Sequence, residues 1–189
     1  FTFGNGVGAA DLDVLNLSNT SNAKFVFLPG ATLSVAGAIS NAGDVTFQMA
    51  DFELGTGRAL NNSGKWILTQ GNFTNRGTTS NAAGGLVSLS SGFFENRGTL
   101  SNDGQIRLSF GDFFNLAGAG VTNNGTMTLT RGDLQNYAGG TLTHTGTVTL
   151  TSGEYLHPGT TNTRTGATYP LADGNLQQPT RGKVKKRGT

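Results

Sequence analysis

Along most of this chain apolar and polar residues alternate in short runs, and the runs themselves return at a fixed interval. The phrase Asn-x-Gly-x-apolar-x-apolar stands at Asn41-Ala42-Gly43-Asp44-Val45-Thr46-Phe47 and again at Asn62-Ser63-Gly64-Lys65-Trp66-Ile67-Leu68. It returns at Asn102-Asp103-Gly104-Gln105-Ile106-Arg107-Leu108 and at Asn123-Asn124-Gly125-Thr126-Met127-Thr128-Leu129. Weaker copies fill the gaps: Gly85 leads to Val87 and Leu89, Gly146 to Val148 and Leu150, and Ala23 replaces the glycine ahead of Phe25 and Phe27. An interval of roughly 19 to 21 residues is the size of one solenoid coil. Within each run the alternation, as in Val148-Thr149-Leu150, sends valine and leucine inward and threonine to solvent, the pattern of a half-buried strand.

Four further columns keep the same register. One reads Phe52, Phe73, Phe94, Phe113, Leu134, Tyr155, and the residues just before it at the corner read Gly71, Gly92, Gly111, Gly132, Gly153. Two residues after the aromatic column stand Asn75, Asn96, Asn115 and Asn136, and a third apolar column reads Ile39, Leu60, Leu100, Val121, Leu142. Three apolar strips per coil predict three short strands per coil, hence an all-β, right-handed parallel β-helix of about seven coils. Coils stack at the ordinary strand spacing of about 4.8 Å, so columns in the sequence become ladders in space. The glycines mark sharp corners, the phenylalanines supply buried area, and an inward asparagine ladder satisfies turn amides and carbonyls. The β-helix is expected over 22–157, with an irregular capping or exchange segment at 1–21 and an extension with a basic tip at 158–189.

Composition agrees. Among 189 residues there are 30 Gly, and only 13% are charged. Glycine, asparagine and threonine are poor helix formers, and no stretch is rich in Ala, Leu, Glu and Lys together. Cysteine is absent, which removes disulfides, thiolate metal sites and thiol nucleophiles. No apolar run is long enough to span a bilayer as a helix. The chain starts at Phe1 with no basic, apolar leader, and is read as an extracellular product from which a signal peptide has been removed.

The phrases Asn96-Arg97-Gly98-Thr99-Leu100-Ser101-Asn102-Asp103-Gly104 and Gly139-Gly140-Thr141-Leu142-Thr143-His144-Thr145-Gly146-Thr147-Val148 resemble the repeats of filamentous-haemagglutinin-like and autotransporter-passenger β-helices of bacterial surfaces. The resemblance covers roughly residues 22 to 157 and implies an extracellular stalk, adhesin or filament component. It carries over no catalytic residue.

Asp51, Asp112, Asp133 and Glu154 share one column after the corner glycine. Carboxylates about one strand spacing apart suit a retaining glycosidase pair or, at Asp112, Asp133 and Glu154, a bound calcium ion. A plainer reading makes the column a polar corner, as at Asn72, with Arg131 or solvent relieving the charge. His144 replaces an Asn of the repeat and reads as a turn residue, His157 lies in another column, and Trp66 reads as core. Arg76 and Arg97 form a surface ladder beside Glu53 and Glu95. Phe1 and Phe3 are candidates for pairing with another subunit. So is the basic tip, Arg181, Lys183, Lys185, Lys186 and Arg187, which is too short and too poor in aromatics for nucleic acid.

These features point to a self-assembling subunit of an extracellular filament or sheath, joined through β-helix ends and terminal segments, with no cofactor and no enzymatic activity. A monomeric adhesin or carbohydrate-binding solenoid recognising surface glycans is the alternative, and a small polysaccharide lyase or hydrolase a second.

Overall fold

The computed structural model describes residues 1–3, 11–163, 175–177 and 184–186. Among them there is no helix, and the strands form three long parallel sheets of seven, nine and eight strands. Each winding visits the sheets in turn. A winding in mid-chain contributes Phe94–Asn96 to sheet I, Thr99–Asn102 to sheet II and Gln105–Phe110 to sheet III. Sheet I runs from Phe52–Leu54 to Asn175–Gln177, sheet II from Leu17–Asn19 to Val184–Lys186, and sheet III from Thr2–Phe3 to Thr147–Ser152. The molecule is thus a parallel β-solenoid with three strands per coil.

The columns of the sequence are the registers of the structure. Phe52, Phe73, Phe94, Phe113, Leu134 and Tyr155 pair in succession, all of them buried. Their rings stack at 4.5 Å between Phe73 and Phe94 and at 5.0 Å between Phe94 and Phe113. Ile39, Leu60, Leu100, Val121 and Leu142 line up in sheet II, with Thr79 completing the column between Leu60 and Leu100. Thr79 is fully buried and its hydroxyl has no partner. Trp66 is fully buried in sheet III, as its inward position requires.

The corner glycines are there because nothing else fits. Gly111 has φ 146°, and a Cβ built on it lies 1.6 Å from the carbonyl oxygen of Gly92, the glycine one coil below. Both the left-handed backbone and the close stacking demand hydrogen at this position. The variation in coil length has a different origin. The corner between sheets I and II takes the short form Asn96-Arg97-Gly98 in one winding and the longer Leu116-Ala117-Gly118-Ala119 in the next. Gly118 turns that longer loop at φ 79°, with open space where a Cβ would project.

Pairing runs past both edges of the 22–157 span. Thr2–Phe3 and Leu17–Asn19 join sheets III and II, and Thr160–Thr163 pairs with Thr141–His144. Asn175–Gln177 and Val184–Lys186 then extend sheets I and II. Backbone hydrogen bonds carry the stack where the repeat phrase has faded, since pairing of main chains does not depend on the side chains that announce it. One discontinuity remains. Asp11–Val14 and Thr32–Val35 form a separate two-stranded sheet, leaving a shallow groove of about 400 Å³ between Leu33, Ser34 and Val35 on one side and Glu53, Gly55 and Arg58 on the other.

Candidate functional site

Two hydrogen-bonded asparagine ladders run up the interior. In sheet I the Nδ2 of Asn75 donates to Oδ1 of Asn96 at 2.7 Å, Asn96 to Asn115 at 2.9 Å, and Asn115 to Asn136 at 2.8 Å. The second Nδ2 hydrogen bonds main chain: Asn75 to the Thr99 carbonyl, Asn96 to Gly120 and Asn115 to Thr141. In sheet II the Asn of the repeat phrase does the same from Asn19 through Asn41, Asn62, Asn81 and Asn102 to Asn123, with links of 2.7 to 2.8 Å. The primary structure shows the recurrence of this second column but not its burial. The signal was an apolar residue two places earlier, as in Leu17-Ser18-Asn19 and Leu60-Asn61-Asn62, which puts both side chains on the inner face.

His144 ends the second ladder, while His157 stands in register above the first without a hydrogen bond to it. Asn123 Nδ2 lies within hydrogen-bonding distance of His144 Nδ1, at 3.3 Å. His144 is therefore buried at a ladder end rather than displayed on a turn. His157 stands one place beyond the pairs Leu134–Tyr155 and Gln135–Leu156, in line with Asn136. Its ring is fully buried 4.9 Å from Tyr155, neither nitrogen has a partner, and burial pushes its pKa down.

The ladders have a direction, since each amide donates towards the C-terminal end. Every Oδ1 from Asn41 to Asn123 receives a donor from the coil before it. Asn19 is 2% exposed and its Oδ1 receives none. It lies in Leu17–Asn19, the outermost strand of sheet II, as Thr2–Phe3 is of sheet III.

The carboxylate column caps main chain. Asp51 Oδ1 accepts the Asn72 N–H at 2.7 Å, and Asn72 Oδ1 accepts the Phe93 N–H at 3.0 Å. Asp112 Oδ1 accepts the Asp133 N–H at 2.7 Å, and Asp133 Oδ1 the Glu154 N–H at 2.8 Å. Asp51, Asp112 and Asp133 thus each bond the main chain one coil above, which answers the charge that stacking would otherwise oppose. Asp112, Asp133 and Glu154 do not assemble a calcium site: among the described residues no three acidic or histidine side chains could hold a metal ion. The Arg131 guanidinium lies 5.1 Å from the centre of the Phe110 ring. Arg76 pairs with Glu53 at 2.8 Å, and Arg97 with Glu95 two residues before it.

The terminal docking candidates fall mostly within the chain's own stack. Phe3 stacks on Phe27 at 4.9 Å, and Phe1 on Phe25 at 5.5 Å, with the Phe1 ring otherwise open to solvent. Lys185 and Lys186 lie in Val184–Lys186, paired with Thr160–Thr163 of the same chain. Arg181, Lys183 and Arg187 lie outside the described residues. On the outer surface of sheet II a shallow groove of about 420 Å³ follows Ser18, Ser40, Asn61 and Ser80 beside Thr20 and Ser63. No charged residue lines it.

These features define a class by architecture: a parallel β-solenoid with ladders inside and a small-residue polar surface. Comparison with known protein families, with curated proteins and with solved structures returns no match.

Proposed function

We propose that this chain is a structural subunit of an extracellular filament or sheath, joining copy to copy through the ends of the solenoid. One observation carries the reading: the buried Asn19 Oδ1 lacks the donor that every later rung of its ladder receives from the preceding coil. A coil of a second copy laid against this end supplies a donor and pairs the outer strands of sheets II and III. Unpaired strand edges template such addition. A head-to-tail contact that does not close extends into a fibre. The absence of cysteine and the scarcity of charge accord with a protein exported unfolded and assembled outside the cell.

The test uses edge prolines. Phe1 and Phe3 carbonyls accept from Val26 and Leu28, so Thr2, between them, turns its N–H to the outer edge. Asn19 likewise bonds inward, to Ala42, leaving Ser18 facing outward. Thr2→Pro and Ser18→Pro each remove one edge donor without touching the internal ladder. Sedimentation velocity and electron microscopy of the parent should show polymers that grow with concentration, and both variants should shift the distribution towards single chains. A parent that stays monomeric across concentration and salt overturns the proposal. A second reading, a glycan-binding solenoid, is favoured by the uncharged groove of Ser18, Ser40, Asn61 and Ser80.

A further inference from the structure

The outer surface of sheet I carries a feature that no column of the sequence displays. Phe93, Phe114 and Tyr137 come from three successive coils and from three different positions along the winding. Phe93 precedes its strand, Phe114 is central in Phe113–Asn115, and Tyr137 follows Leu134–Asn136. They therefore cross the sheet as a diagonal row, with ring centres 5.8 Å apart between Phe93 and Phe114 and 6.3 Å between Phe114 and Tyr137. Phe93 and Phe114 are half-buried and Tyr137 is exposed.

Hydrogen-bonding groups border the row. In strand register Glu95 and Gln135 flank Phe114 on either side. The Tyr137 hydroxyl donates to Gln135 Oε1 at 2.9 Å, which leaves the Gln135 amide NH₂ as a donor beside the Phe114 ring. Asp112 is the next residue in the Phe93 column, and the hydrogen bond to Asp133 engages only its Oδ1. Aromatic rings inclined to one another at 46° and 65°, interspersed with an amide, a phenol and carboxylate oxygens, offer both the apolar contacts and the hydrogen-bonding groups that a sugar needs, since its C–H faces are apolar and its rim is all hydroxyl.

Size argues for a thin ligand. Three rings over three coils span two strand spacings, on the order of 10 Å, about the length of a disaccharide unit. A strip of three partly exposed rings is small beside the roughly 800 Å² per partner that a stable protein interface buries. From this combination we infer that the row is a binding subsite for a neutral polysaccharide chain, held by apolar contact with the rings and by hydrogen bonds that Gln135 donates and that Glu95 and Asp112 accept from sugar hydroxyls. The inference does not depend on assembly through the ends, because sheet I's outer surface stays open in a head-to-tail stack.

The experiment incubates the purified full chain with microcrystalline cellulose, chitin and soluble xylan, and reads the bound fraction in low salt and in 0.5 M sodium chloride. Phe114→Ser, Tyr137→Ser and Gln135→Ala are compared with Phe110→Ser, which removes an exposed ring from sheet III. Thermal transitions verify that each variant is folded. The expected result is salt-insensitive binding to at least one of these glycans, lowered about tenfold by Phe114→Ser or Tyr137→Ser, lowered severalfold by Gln135→Ala and unchanged by Phe110→Ser. Failure of the parent to bind any of the three, equal binding by parent and Phe114→Ser, or binding confined to low salt overturns it. So does a loss of polymer rather than of glycan binding in Phe114→Ser, which makes the row a contact between copies.

Discussion

Replacing Asn96 by leucine isolates what the interior ladder contributes to stability. The position is fully buried, and the same column already holds a leucine at Leu54, so size alone does not forbid the change. What disappears is polar. Asn75 keeps its bond to the Thr99 carbonyl but loses the one it gives Asn96 Oδ1 at 2.7 Å, Asn115 Oδ1 loses its 2.9 Å donor and is stranded in the core, and the Gly120 carbonyl loses a bond at 3.1 Å. A stranded buried acceptor costs about 1–3 kcal/mol, and each further bond about 1 kcal/mol. The sum is about 3–5 kcal/mol, against the roughly 5–15 kcal/mol that holds a typical domain folded. For a chain of this length each kcal/mol moves the melting temperature by about 2–4 °C, so Asn96→Leu should lower Tm by roughly 6–20 °C. The assay is thermal and urea unfolding followed through Trp66, the single tryptophan and fully buried. Ser101→Ala, on the outward side of sheet II, serves as the control and should stay within about 0.5 kcal/mol of the parent. A shift for Asn96→Leu no larger than the control's refutes the view that the ladder stabilises the coil.

Gly111→Ala should cost about 3–5 kcal/mol, combining left-handed strain with a Cβ driven into the Gly92 carbonyl, whereas Gly118→Ala, strained but unobstructed, should cost about 1 kcal/mol; urea midpoints of the two variants check the contrast. Thr79→Val removes a fully buried hydroxyl with no partner while keeping the shape, and should raise stability by about 1 kcal/mol; a fall in Tm refutes it. His157 has a pKa lowered by burial from its ordinary 6.5, so the unfolded chain takes up a proton near that pH while the folded chain does not. Its contribution is therefore complete above pH 6.5 and declines as pH falls below it, and His157→Phe should flatten Tm between pH 7 and pH 5 relative to the parent.

What could be read in the sequence were the features that repeat straight up the stack. The phenylalanine, glycine and first asparagine columns were visible because each coil places its copy over the last, so that one period reveals all of them. Asn41, Asn62 and Asn102 were visible too, but a residue just before Gly is equally at home on an exposed turn, and only the inward parity of Leu60 and Asn62 distinguishes the buried ladder. The carboxylates left several readings open for a related reason. Stacked Asp112 and Asp133 suit a charged site as well as a polar corner until the N–H groups of the following coil are placed against their oxygens. Thr79 escaped notice as the polar member of an apolar column. Phe93, Phe114 and Tyr137 lie on a diagonal, and no search along columns finds a diagonal.

The ladders also explain why the surface features can be trusted to keep their places. Asparagine is the side chain whose amide both accepts from the coil below and donates to the coil above while its second hydrogen reaches main chain. Aspartate in the same column would bring like charges together with no donor between them. A slip of one residue in any strand would turn Asn96 outward and Glu95 inward, stranding an amide chain and burying a carboxylate in one step. Register is thus fixed by polar bonds inside a core whose apolar residues alone, Leu, Val, Ile and Phe, would tolerate exchange. Windings of 19 and 21 residues can then coexist, because the additional residues bulge into loops such as Leu116–Ala119 while Asn115 and Asn136 remain directly stacked. Those loops are where Tyr137 sits, one residue past its ladder asparagine. A polar interior sets the register, the register sets which residues face out, and the outward residues at fixed strand spacing are what a second copy or a glycan chain would meet.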